Sequence, residues 1–157
     1  MNQSIHMVDY LLALVGPVSE VKGFSDHLGH DIEAEDTAVA VLRFKNQALG
    51  TIYGSTASFP GQFRSLQITG TQGTVIQEED SFKVWEFQES REEDEGIRTQ
   101  FGGIQGGGGV SDPGAIPYEN HTRNIAAFLE AIDNDQPFAI DGKEARKAVE
   151  LILRIYA

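Results

Sequence analysis

Three residues at the start of the chain have the types and spacing for proton chemistry. Asn2, His6 and Asp9 lie four and three apart, and on a helix such residues stack on one face. An imidazole exchanges protons near neutral pH, and a flanking amide and carboxylate can orient it or its substrate. The opposite side of the same segment carries Ile5, Val8, Leu12 and Val15, a stripe that can bury against a core. A lone helical histidine is also a common structural residue, so both readings of His6 stand on spacing alone. Such a face beginning at residue 2, with nothing upstream to hold a substrate, predicts that the chain is a piece of a larger protein.

The remaining candidates are fewer. His121 falls in the first turn of a helix near the C-terminus, where it is either a surface or capping residue or a ligand contact beside free backbone N–H groups. The glycine run Gly102-Gly103-Ile104-Gln105-Gly106-Gly107-Gly108-Gly109 lacks the Gly-Lys-Ser/Thr ending of a phosphate loop. Val110-Ser111-Asp112-Pro113 follows it in place of a helix opening. It reads as a lid or a linker. The four histidines, His6, His27, His30 and His121, have no zinc-binding spacing, and no metal site is expected. Trp85 reads as core or interface.

The elements that must position these groups follow from periodicity. A helix is expected from about Ser4 to Val15, stopped by Gly16 and Pro17. Strands are expected over Val18 to Asp26, Asp36 to Phe44, Ala48 to Ser55, Arg64 to Thr69, Thr74 to Glu78 and Ser81 to Phe87. Within the second strand, Ala38, Ala40, Leu42 and Phe44 alternate with Thr37, Val39, Val41 and Arg43. Short connections make the neighbours antiparallel. Several strands are apolar on both faces, which calls for helices on one side and a partner subunit on the other. Residues 88 to 117 read as an extended loop, with the acidic stretch Glu86 to Glu95 solvated. Helices are expected from Glu119 to Asn134, with Ile125, Phe128, Leu129 and Ile132 in register, and from an Asp141 cap onward. The last helix, bearing Ala145, Ala148, Val149, Ile152 and Tyr156, is still running at Ala157, as truncation at that end would leave it.

Composition bounds the function. The 157 residues are 40% hydrophobic and 23% charged, the profile of a globular domain, and residues 1–157 are read as one domain. A net charge of −12 excludes a phosphate-binding surface, so no nucleic-acid partner is expected. No apolar run reaches the roughly 20 residues of a membrane span. The absence of cysteine removes disulfides and thiolate catalysis. The N-terminus is unlike a signal peptide, and a cytoplasmic location is expected.

Four landmarks in order resemble the C-terminal domain of the Gfo/Idh/MocA family of NAD(P)-dependent oxidoreductases. They are the Asn-Gln-Ser-Ile-His-Met-Val-Asp helix ending at Gly16-Pro17, and the Glu35-Asp36-Thr37-Ala38 opening of a strand that closes at Arg43-Phe44. The turn Gly70-Thr71-Gln72-Gly73-Thr74 follows. Last come His121 to Ile132 with Pro137, Asp141-Gly142-Lys143-Glu144-Ala145 and Ile155-Tyr156. The resemblance covers nearly the whole chain.

It implies an α+β fold: a large, mostly antiparallel open sheet with helices on one face and an oligomer interface on the other. This is the C-terminal-domain architecture of dihydrodipicolinate reductase and glyceraldehyde-3-phosphate dehydrogenase. It also implies an upstream Rossmann domain, absent here, that holds NAD or NADP and supplies a lysine, so no cofactor is expected on this fragment. The family's Asp-x-Gly-x-His-x-x-Asp pattern maps its His onto His6 and its final Asp onto Asp9. Asn2 and Ser4 depart from the leading Asp and the Gly. An amide orients a hydroxyl but is no base, so the proton role would rest more heavily on His6 and the absent lysine, with Asn2, Asp9 and His121 binding substrate.

The implied activity of the intact protein is oxidation or reduction at a secondary hydroxyl of a sugar, sugar nucleotide or cyclitol, in a homodimer or homotetramer. The fragment alone would be inactive. The competing reading is a dimerising, ligand- or partner-binding module without catalysis, which Asn2 favours.

Overall fold

Alternation in one strand sets the core. In β2 (Thr37–Phe44) Ala38, Ala40, Leu42 and Phe44 are buried and every second residue between them faces outward. The structure is a computed structural model that describes residues 4–102 and 118–157. Antiparallel neighbours flank β2: β1 (Val18–Asp26) on one side and β3 (Leu49–Ser55) on the other. The β1–β2 register slips by a bulge between Val18 and Glu20.

Two helices cover the buried face. On α1 (Ile5–Val15) Val8 is buried and Ile5, Leu11, Leu12 and Val15 pack around the core. On α4 (Gly142–Tyr156) the inward stripe is Ala148, Leu151, Ile152 and Ile155. That stripe is rotated from the expected one: Val149 and Tyr156 are exposed, while Leu151 and Ile155 are buried. Ile155 packs at Gly23 of β1, where an added Cβ would stand 2.9 Å from the Val39 carbonyl oxygen and 3.1 Å from the Ile155 methyl. Close approach of helix to strand is what this glycine permits. The Arg154 guanidinium then donates to the carbonyls of Val18 and Ser19, at 3.1 and 2.9 Å, and ties α4 to the start of β1.

Local signals end the helices as expected. Gly16 takes φ +99°, a left-handed value that favours glycine, and its N–H donates to the Leu12 carbonyl at 2.9 Å. The Asp141 carboxylate accepts from the N–H groups of Lys143 and Glu144, both at 2.9 Å, as an N-cap. Helix α3 (Glu119–Asp133) forms where the periodicity put it, yet none of its residues is buried.

A second compact unit contains β4 (Ser65–Gly70), β5 (Gly73–Glu78) and β6 (Ser81–Phe87), an antiparallel meander, with α2 (Glu92–Phe101). The antiparallel α+β class is thus the observed one, with the strand area divided between two three-stranded sheets among the described residues.

Helix α2 corrects the expected loop over residues 88 to 117. Glu92, Glu93, Asp94 and Glu95 fill its first turn, where negative charge is stabilised by the helix dipole. The run of acids that reads as solvated chain is therefore a helix-initiating sequence. Asp94 is buried, against the expectation of a fully solvated stretch. Its carboxylate accepts from the Arg91 N–H at 2.7 Å and from the Trp85 indole N–H at 2.8 Å. The Arg91 amide, and after it the indole, hold the Asp94 carboxyl below the usual range. Trp85 is half-buried and packs between Phe82 and Phe87, tilted at 4.8 Å and edge to face at 5.3 Å between centroids. The glycines 103–109 of the expected lid or linker lie outside the described residues.

Candidate functional site

Helix α1 presents two opposite faces, and only one of them is used by the core. Val8 and its neighbours face the sheet, which leaves His6 and Asp9 exposed together on the outer side, three residues apart. Among the described residues His6 makes no hydrogen bond or ion pair, so its ring is available to an incoming group. Asn2 lies outside the described residues. His121 is exposed in the first turn of α3, where the N-cap residue Tyr118 makes no side-chain cap. No hydrogen bond or ion pair among the described residues joins His121 to His6 or Asp9. The structure therefore brings His6 and Asp9 onto one open face and leaves His121 on a separate element.

The most perturbed group is one whose role the sequence concealed. Asp36, at the start of β2, is buried and closes the loop that follows β1. Its carboxylate accepts from the backbone N–H groups of Leu28, Gly29 and His30, at 2.9, 2.8 and 2.8 Å, and from the Thr37 hydroxyl at 3.0 Å. The His30 Nδ1 sits 3.1 Å away. Thr37 in turn lies 3.0 Å from the Ser55 hydroxyl, whose oxygen accepts from the Ala57 N–H at 3.1 Å. The Leu28 amide is the largest of the influences holding the Asp36 carboxyl far below the usual carboxylate range, with the other donors outweighing the cost of burial. This is an anchoring charge rather than a proton carrier.

The loop has a second tether, since the Tyr156 hydroxyl donates to the Glu35 carboxylate. Burial raises the Tyr156 phenol above its ordinary value. In the sequence Asp36 stood out only as the opening of a strand. The signal that could have found its role is the polar, glycine-bearing loop before it, whose amides need acceptors.

A dinucleotide needs a strand, a glycine turn and a helix N-terminus in a parallel βαβ unit. The described strands pair in antiparallel fashion and do not form that unit. Among the described residues no helix is long and apolar enough to cross a membrane.

Residues 1–76 match the GFO/IDH/MocA C-terminal domain. The WlbA dehydrogenase from Bordetella pertussis, solved in complex with NADH and UDP-GlcNAcA, is 31% identical, with a TM-score of 0.81 over 99% of this chain and 42% of its own. The WlbA dehydrogenase from Chromobacterium violaceum, solved with the same two ligands, is 27% identical, with a TM-score of 0.80 and the same coverage. Levoglucosan dehydrogenase, in complex with NADH and levoglucosan, shares the fold with a TM-score of 0.71, at 17% identity over 98% of this chain and 45% of its own. This chain therefore spans less than half the length of each of these structures. None of the curated proteins matches its sequence.

Proposed function

We propose that this chain, which belongs to the Gfo/Idh/MocA family of oxidoreductases, is the substrate-binding and oligomerisation domain of an NAD(P)-dependent dehydrogenase. The substrate class is a secondary alcohol of a sugar nucleotide, sugar or cyclitol, in a cytoplasmic enzyme. The observation that carries this reading is the likeness over 99% of the chain to a dehydrogenase solved with NADH and UDP-GlcNAcA. Residues 1–157 would act together as the substrate half of the site. A nicotinamide cofactor would supply the hydride acceptor, held by parts of the intact protein outside these residues, so the fragment alone is inactive.

What this chain contributes is proton handling and orientation. His6, exposed on α1 with Asp9 on the same face, takes or gives the proton at the substrate hydroxyl oxygen. Asn2, an amide, orients that hydroxyl without accepting its proton. Asp9 and His121 contribute further substrate contacts.

The outer face of the first sheet is the proposed subunit interface, making a homodimer or homotetramer. Phe24, Val39 and Tyr53 stand side by side across β1, β2 and β3 in register, and Val41 adds to the same face. Phe24 is 88% exposed and Val39 45%, and an apolar patch of this kind on a sheet marks a contact surface.

The test uses the full-length protein with NAD(P) and a panel of sugar nucleotides and sugar alcohols. His6→Ala is expected to lower kcat by about 10²-fold with cofactor binding unchanged. Unchanged turnover in His6→Ala would remove the proton role. A wild-type protein that reduces NAD(P) with no such alcohol would leave the non-catalytic binding module.

A further inference from the structure

Away from the α1 face, one histidine is held by a buried charge. The His30 Nδ1 stands 3.1 Å from the Asp36 carboxylate, which is fully buried, while the imidazole is 49% exposed. An ionised carboxylate only accepts hydrogen bonds. The Nδ1 therefore carries the proton, and the Nε2 keeps its lone pair on the ring edge turned away from Asp36. The loop does not need this donor. The amides of Leu28, Gly29 and His30 and the Thr37 hydroxyl already match the lone pairs of the carboxylate. His27 differs, lying 3.4 Å from an Asp26 carboxylate with both side chains exposed. A carboxylate that fixes the tautomer of an imidazole and aims its other nitrogen outward is the arrangement of a histidine that meets a ligand.

The fold puts His30 at the His6 end of the first sheet. At the other end the Val15 carbonyl accepts from the Asn46 side chain, in the turn between β2 and β3, at 3.0 Å. Helix α1 thus ends at that turn, and its first residues lead toward Thr37, Ser55 and the loop that carries His30. From Val15 back to His6 the helix covers about 14 Å, whereas β1 covers about 26 Å from Val18 to Asp26. His30 accordingly lies on the order of 10 Å beyond His6 along the sheet. Its surroundings select the ligand group. Residues 23–42 hold Asp26, Asp31, Glu33, Glu35 and Asp36 and no lysine or arginine, which disfavours a phosphate and leaves a neutral hydroxyl as the donor to Nε2. We propose that His30, positioned by Asp36, accepts a hydrogen bond from a substrate hydroxyl remote from the reacting carbon. This rests on the functional reading above and narrows it. The gap from His6 exceeds one sugar ring, so the substrate is a sugar nucleotide, with the ribose supplying that hydroxyl, rather than a free sugar or cyclitol.

Two variants of the full-length protein test this by calorimetry with UDP-GlcNAcA, the compound bound in the WlbA dehydrogenases. In His30→Asn the side-chain amide still donates to Asp36, but nothing reaches the Nε2 position. In His30→Gln the amide oxygen reaches that position. His30→Asn is expected to weaken UDP-GlcNAcA binding about tenfold, with NADH affinity and melting temperature close to wild type, and His30→Gln to recover most of the loss. GlcNAcA without the nucleotide should bind wild type and His30→Asn alike. Unchanged UDP-GlcNAcA affinity in His30→Asn, or no binding to wild type, would overturn the proposal. An equal loss for GlcNAcA would assign His30 a structural role and overturn it as well. Turnover of the same samples separates the two ideas: a protein whose UDP-GlcNAcA binding depends on His30 but which reduces no NAD(P) keeps this contact and loses the dehydrogenase reading.

Discussion

Asp36 exchanges its hydration for five donors, three of them consecutive backbone amides that the loop must otherwise leave unpaired. Its cost of removal is therefore felt by the loop as much as by the side chain. The folded carboxyl titrates below its ordinary value. Its contribution to stability is accordingly present in full above the unfolded pKa and lost as pH falls through the folded one. Asp36→Asn is expected to melt at a lower temperature than wild type, with a gap that stays constant from about pH 5 to 8 and narrows below about pH 4. Calorimetry across that range reads this directly, and a gap that widened in acid would contradict the assignment. His6 differs in kind, because no hydrogen bond or ion pair among the described residues holds it: His6→Ala should leave the melting temperature within about a degree of wild type while turnover falls.

At the scale of elements, two helices illustrate how caps and dipoles act. The Asp141 cap holds two N–H groups at the start of α4, the helix that supplies four of the core residues. Asp141→Ala is expected to cost about 1 kcal/mol, measured by urea denaturation, with Asp141→Ser recovering most of it. Helix α2 depends on its second layer of contacts. Trp85 donates to Asp94, and Arg98 donates back to the Trp85 carbonyl at 3.2 Å. The strand β6 and the helix thus define each other. Trp85→Phe keeps the ring but leaves the Asp94 carboxylate without its indole donor. Helix α2 should then exchange its amides faster than the β5–β6 pair, by hydrogen exchange.

For the whole molecule the two faces of the first sheet divide the work. The inner face holds Phe44, which lies over Gly50, with Leu42 and the α4 stripe, and Phe44→Ala is expected to cost about 3–5 kcal/mol. The outer face holds the Phe24–Val39–Tyr53 row. A lysine at its centre, Val39→Lys, is expected to shift the protein toward monomer by light scattering without changing its helix content, because the inner face is untouched. A wild-type protein that runs as a clean monomer would argue against this interface.

The sequence by itself determined the elements whose signals are local. Alternation placed β2 to within one residue, the runs between turn signals placed β1 and β6 to the residue, the Gly16-Pro17 stop ended α1, and the Asp141 cap opened α4. It also marked His6 and Asp9 as neighbours, since a helix fixes which residues share a face. Only the tertiary structure decided what depends on neighbours distant in sequence. Asp94 became buried because Trp85, nine residues back, turned its indole toward it, and so an acidic run that reads as solvated became a helix. Asp36 acquired its role because the loop after β1 folds back across six to eight residues to reach it. Periodicity showed that α3 has an apolar face, but not whether that face is covered. Coverage depends on what lies opposite a helix, and no local spacing encodes it.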